Sequence, residues 1–256
     1  MNMHLGGTLG LVAHVATAAT AGAQQSAWPQ HALDRPPPPV VAPAAVQPLV
    51  APPADAVVLF DGGLLAAWQA ADSAGGPARW RISSGAIEVV PGAGGIRTRR
   101  SFGDVQLHVE WMSPLPAQGA GQDRGNSGVF LMGQYEVQIL DSWHSTTYPD
   151  GQAGAIYGQL PPLVNASRQP GRWQSFDIIF RHPEFDGERL TVPARMTVFH
   201  NGLLVHEDAV LQGPTTHQRR APYVAHPRRL PISLQDHGHK VRFRNIWVRE
   251  LAPLVH

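Results

Sequence analysis

Between Val57 and Leu251 the chain never sustains a long amphipathic helical period. It breaks instead into short alternating runs closed by glycine-bearing turns. Val57–Phe60 is apolar and stops at Asp61-Gly62-Gly63, a turn signal. Trp80–Val90 reads as a hairpin turning at Ser84-Gly85. Asp104–Met112 alternates well, with Val105, Leu107, Val109 and Trp111 set against Gln106, His108 and Glu110. Phe176–Arg181, Arg195–His200, Leu203–His206, Leu230–Leu234 and Lys240–Leu251 bring the set to about a dozen strands. Asn201-Gly202 supplies the type I′ turn of one hairpin. Leu64–Ala71 has room for one or two turns of helix, and Gly92-Ala93-Gly94-Gly95-Ile96 reads as a glycine turn only. The expected fold is all-β, an antiparallel two-sheet β-sandwich or jelly roll.

That pattern occupies residues 56–252, a length that suits one domain with a sizeable core. Residues 1–23 are small and apolar and end in Ala21-Gly22-Ala23, the small-x-small pattern of a secretory signal peptide. The signal is atypical, because His4 stands where Lys or Arg is usual and His14 interrupts the apolar run. It leads us to expect a periplasmic or secreted protein, and it is too weakly apolar for a lasting membrane span. Residues 24–55, with Pro36–Pro39 and Pro52-Pro53, read as a disordered Pro/Ala-rich linker. A net charge of +1 gives no global steering toward nucleic acid or an anionic membrane. With no Cys, disulfides, thiolate metal sites and thiol nucleophiles are all excluded.

The richest stretch runs from Gly125 to Ser142 and reads as two strands around Gly133-Gln134. In the second, Tyr135, Val137 and Ile139 share the apolar face while Glu136 and Gln138 share the other. An ordinary glycosidase needs two facing carboxylates. The next acid, Asp141, is an odd number of residues from Glu136 and points the opposite way, and the same-face neighbour Gln138 cannot ionise. Glu136 is thus a lone acid, suited to holding hydroxyls, binding a metal or acting as a base, or else to being a solvated strand face. Gln235 and His237 share one parity at the end of a second strand, and a His there could exchange protons near neutral pH. The flanking residues Arg124 and Asn126 offer directional donors, and Tyr157, between small residues, could stack on a sugar ring. His200, His206, His217 and His226 sit beside turns or Arg-rich loops and read as structural. No dedicated metal cage, serine nucleophile, P-loop or dinucleotide fingerprint is visible.

Taken in order, several segments resemble the 3-keto-disaccharide hydrolase family. They are Leu59-Phe60-Asp61-Gly62 with Leu65 and Trp68, Asn126-Ser127-Gly128-Val129-Phe130, Tyr135–Asp141, and Gly154–Gly158. Gly171–Ser175, His200-Asn201-Gly202, Leu234–Gly238 and Val241–Ile246 complete the match. The resemblance implies a concanavalin-A-like, laminin-G-like jelly roll. It also implies cleavage of 3-keto-glycosides or 3-keto-disaccharides, a net hydrolysis by β-elimination and hydration. A C3 ketone acidifies the C2 proton, so one base suffices and no second carboxylate is needed. On this reading Glu136 and His237 are the catalytic pair, with Arg124, Asn126, Gln138, Tyr157 and Gln235 on the substrate. A divalent ion on Glu136 and His237 would serve as an electrophile. A sugar 3-dehydrogenase that makes the ketone is the implied functional partner. Arg172, Gln174 and Met132 depart from the family pattern, Met132 at a place where Arg is common, which puts a contact with substrate or metal in doubt. The competing reading is a non-catalytic, lectin-like carbohydrate-binding module, since a sandwich can bind sugars without cleaving them.

Overall fold

A computed structural model describes residues 1, 28–44 and 51–253. The expected signal peptide therefore lies, apart from Met1, outside the described residues.

The alternating runs become strands of two antiparallel sheets. The larger sheet is built on β6 (Val105–Met112), β9 (Gln174–Arg181), β12 (Arg195–His200), β13 (Leu203–Val210) and β15 (Arg242–Glu250), with β1 (Val57–Phe60), β3 (Arg81–Ser83) and β4 (Ala86–Glu88) along one side. Its order is β13-β12-β9-β6-β15-β4-β3, and β1 pairs with β15 beyond β4. The smaller sheet has the order β2 (Trp68–Ala70), β5 (Ile96–Phe102), β14 (Leu230–Leu234), β7 (Ser127–Leu131), β8 (Tyr135–Ile139). A separate hairpin joins β10 (Glu184–Asp186) to β11 (Arg189–Val192).

Parity decides what fills the space between the sheets. Leu107, Val109 and Trp111 of β6 and Phe176, Ile178 and Phe180 of β9 turn inward, and Tyr135, Val137 and Ile139 of β8 meet them from the other side. Tyr135 and Phe180 touch across the sandwich with ring centres 5.5 Å apart. Trp68 is buried at 1% exposure, and its indole N–H donates to the Leu59 carbonyl at 2.9 Å. That bond explains the spacing of the opening motif, because a buried indole needs an acceptor.

The two-residue turns form as expected. Ser84 and Gly85 have φ of 49° and 68°, and Asn201 and Gly202 have 52° and 81°. Two expectations fail. Leu64–Ala71 is not helical, since Trp68–Ala70 pairs with β5 as a strand. Residues 28–44 are not a disordered linker either. Val41 N–H donates to the Asn165 carbonyl at 3.0 Å, and Asn165 N–H donates to the Pro39 carbonyl at 2.9 Å. A proline run supplies no N–H groups, yet its carbonyls still accept, and that is how this segment is tied to the domain.

Candidate functional site

β8 is an edge strand of the smaller sheet, and two loops cover its open side. Gln138 N–H donates to the Ala155 carbonyl at 2.9 Å, and Gly154 N–H returns to Gln138 at 2.8 Å. Glu136 N–H donates to Thr215 Oγ1 at 3.0 Å, and Thr215 N–H donates to the Gln134 carbonyl at 2.8 Å. The unpaired edge is thereby satisfied, and the loops become the walls of a cavity on the outer face of the sheet.

The cavity, about 310 Å³, is lined by Asn126, Phe130, Glu136, Gln138, Tyr157, Thr215, Thr216, His217, Gln235 and His237. The structure thus gathers Glu136, His237, Asn126, Gln138, Tyr157 and Gln235 from four separate segments into one place. Glu136 is the only carboxylate among these lining residues. The strand end that carries Gln235 and His237 is fastened to β7, where Gln235 N–H donates to the Gly128 carbonyl at 3.1 Å and Ser127 Oγ–H to the Gln235 carbonyl at 2.7 Å.

Glu136 is 3% exposed, and burial pushes its carboxyl up to about 8. Gly128 makes room for it, because a Cβ there would lie 2.3 Å from Glu136 Oε1 and 2.8 Å from Phe130 Cε2. The amide of Gln138 donates to Asn126 Oδ1 at 3.2 Å, which holds it upright beside Glu136. Gln235 Oε1 is buried without a donor. Burial also raises the Tyr157 phenol, whose oxygen lies 2.8 Å from Tyr148 Oη and 3.4 Å from His217 Nδ1. Tyr157 therefore stays protonated at neutral pH. His237 is exposed at the rim.

Arg124 is not brought to the cavity. Its Nε donates to Asp141 Oδ2 at 2.8 Å, and Asp141 N–H donates back to the Arg124 carbonyl at 3.0 Å. A strand-end acid 2% exposed demands a counter-charge, and Arg124 supplies it. Met132 is also remote from the lining. At φ 55° it shapes the β7–β8 turn with Gly133, and its side chain is 3% exposed within the core. Gln174 sits on the larger sheet, 2% exposed, where its Oε1 accepts from Arg168 N–H and Asn201 Nδ2. Of the departures from the family pattern, these two side chains therefore remove no contact from the cavity. Sequence reasoning missed Phe130, which faces Glu136 across β7 and β8, and Thr215, Thr216 and His217, whose loop carries no periodic signal.

Among the described residues no three His, Asp or Glu side chains are arranged so that they could hold a metal ion. Glu136 and His237 alone fall short of the three protein ligands that a catalytic zinc ion takes. The donor set does not fit a resident zinc ion.

A second groove, about 340 Å³, opens on the outer face of the larger sheet and is lined by Gln106, His108, Glu110, Trp173, Asp177 and Arg244 among others. His108 Nδ1 lies 2.7 Å from Asp177 Oδ1, while Arg244 Nε and Asn245 Nδ2 donate to Glu110 at 2.7 and 2.9 Å. Burial alone would lower His108, but the carboxylates of Asp177 and Glu110 outweigh it and raise the imidazole to about 9.

A search of curated proteins returns no match. A family model described as a 3-keto-alpha-glucoside-1,2-lyase-like domain matches residues 55–249. A solved structure from Parabacteroides distasonis, provisionally described as a glycosyl hydrolase, is 41% identical with a TM-score of 0.75, covering 84% of this chain and 93% of its own. A second protein of the same organism and description, 18% identical over 77% of this chain and 94% of its own, has a TM-score of 0.55 and shows the fold alone. The strands, the cavity and this match agree: the chain belongs to the 3-keto-alpha-glucoside-1,2-lyase-like domain family.

Proposed function

We propose that the Glu136 cavity cleaves the glycosidic bond of 3-keto-glycosides by β-elimination followed by addition of water. One observation carries this reading: Glu136, raised to about 8 by burial, is the only carboxylate lining a cavity it shares with His237. A lone acid cannot perform the two-carboxylate displacement of ordinary glycosidases. It suits a substrate whose ketone has already made the neighbouring C–H acidic, and a base with a pKa near the working pH is the efficient one.

In the first step Glu136 takes the C2 proton. The electron pair becomes the C1–C2 double bond, the C1–O bond breaks, and His237 protonates the departing oxygen. Water then adds across the enone, with its hydroxyl going to C1 and a proton going to C2. Neutral Tyr157, with the amides of Asn126, Gln138 and Gln235, holds hydroxyls and the keto oxygen. The enzyme that makes the ketone is then a sugar 3-dehydrogenase. An exported chain would act on the product outside the cytoplasm, which fractionation of cells would test.

The test is aglycone release from a 3-keto-glucoside by the purified protein, with the unoxidised glucoside alongside. Release from the oxidised substrate alone is expected, lowered about a hundredfold by His237→Ala. Binding of the 3-keto-glucoside without release would leave a carbohydrate-binding module, and turnover of the unoxidised glucoside would return the protein to the ordinary glycosidases.

A further inference from the structure

The family match begins at residue 55, yet residues 28–32 lie against the walls of the Glu136 cavity. The contacts fall on both walls. Gln30 Nε2 donates to the Thr216 carbonyl at 3.0 Å, and Arg220 donates to the Trp28 carbonyl at 3.1 Å, so the 215–220 loop is held twice. On the other wall, His31 N–H donates to the buried Asp150 Oδ2 at 3.0 Å. The His31 ring stacks on Tyr148 with centres 4.0 Å apart and lies 5.2 Å from Tyr157 and 5.7 Å from His217. Gln30 also occupies the space over Gly158, where a Cβ would come within 2.2 Å of its Nε2.

Tyr157, Thr216 and His217 line the cavity, and they come from loops far apart in sequence. Backbone hydrogen bonds fix Tyr157 and Thr215 only at β8, where Tyr157 N–H reaches the Glu136 carbonyl at 3.3 Å. Nothing in the sheet sets the distance from Tyr157 to His217. The wedge of His31 between Tyr148, Tyr157 and His217 does so, together with the 3.4 Å contact of Tyr157 Oη with His217 Nδ1 and the bonds of Gln159 to Gln212 and Gly213.

We propose that residues 28–32 are a positioning element of the Glu136 cavity, with Gln30 and His31 clamping the Tyr157 wall to the Thr215–His217 wall and thereby setting how tightly a saccharide is held. His31 touches the wall and acts through Tyr157 and His217, so it is a positioning residue. The claim about substrate rests on the function proposed above, whereas the claim about the walls does not.

The test is made in the full chain with the double variant Gln30→Ala/His31→Ala, which keeps the His31 N–H bond to Asp150. Hydrogen exchange reads the walls without any substrate. Amides of Tyr157 and Thr215 are expected to exchange at least about tenfold faster, while those of Val109 and Ile178 in the core are unchanged. Kinetics with a 3-keto-glucoside should then show KM raised about tenfold with kcat within about twofold. Unchanged exchange at Tyr157 and Thr215 would overturn the clamp. Faster exchange with unchanged KM would overturn its bearing on substrate. Absence of turnover in the unaltered protein would count against the proposed function, and the exchange result would still decide the clamp.

Discussion

The two outer faces of this sandwich carry grooves of nearly equal size and opposite electrostatics. On the larger sheet the charges of the His108 cluster are met. His108 has Asp177 and Glu110 beside it, and Glu110 has Arg244 and Asn245. On the smaller sheet Glu136 is buried with no counter-charge, and its carboxyl rises to about 8 as a result. The difference teaches that volume alone does not distinguish the two faces, because the paired groove is the larger of the two. A charge network that satisfies itself rigidifies a surface. A titratable group left unmatched in a cavity is available to a ligand.

The comparison breaks most readily at Glu136. Glu136→Gln keeps the shape and removes the base, so release of aglycone from a 3-keto-glucoside should fall about a thousandfold. Its thermal midpoint should not fall, because the replaced group had no ion pair to lose. The mirror experiment is Glu110→Ala, which removes the carboxylate partner of Arg244 on the other face and leaves His108 only Asp177. It should cost about 3 kcal/mol of stability, or about 6–12 °C in a melting scan, and leave kcat/KM within about twofold. Loss of activity there would mean the two faces are not independent. A finer probe is Gly128→Ala, whose methyl would displace the Glu136 carboxyl. A loss of about thirtyfold in kcat/KM with normal sugar binding is expected, since misplacing a reacting group costs rate before affinity.

A further separation lies in the pH dependence of stability, where both faces lose stability toward alkali for opposite reasons. Glu136 keeps its proton longer folded than unfolded, so stability falls as pH rises from 4.5 through about 8. His108 also binds its proton more tightly when folded. Its contribution is complete below 6.5 and is lost as pH rises through about 9. Melting scans from pH 5 to 9 should show Glu136→Gln removing the earlier part of that decline. Deletion of the decline above pH 8 by the same variant would contradict the assignment. The activity of the unaltered enzyme should climb through about pH 8 as Glu136 ionises.

Much of this was legible in the sequence wherever side chains alternate cleanly. The parity of Tyr135–Ile139 put Glu136 and Gln138 together outside the core, and the Ser84-Gly85 and Asn201-Gly202 turns announced their hairpins. β5 was missed because Arg97, Arg99 and Arg100 make Ile96–Phe102 look solvated. Its inward face holds Ile96, Thr98 and Phe102, and the pattern breaks across a register shift against β14. Arg124 was placed on substrate because a sequence shows a cation but not its partner Asp141. Phe130, on β7 directly opposite Glu136, could have been read from the strand's alternation, whereas Thr215 and His217 reach the cavity through tertiary packing of loops, which leaves no local period to read. The strap at 28–44 was hidden by its prolines, which suggest disorder although their carbonyls still accept hydrogen bonds.

β1 and β15 meet along Val57–Phe60 and Ile246–Val248, so the first strand of the domain is completed by the last. β15 also lies between β4 and β6 in the middle of its sheet. A ribosome must therefore release nearly the whole domain before either sheet edge near β1 can close. Such distant pairing delays commitment to the fold. A chain that stays uncommitted until its final strand remains threadable, and it is exposed to chaperones and proteases for all of that time.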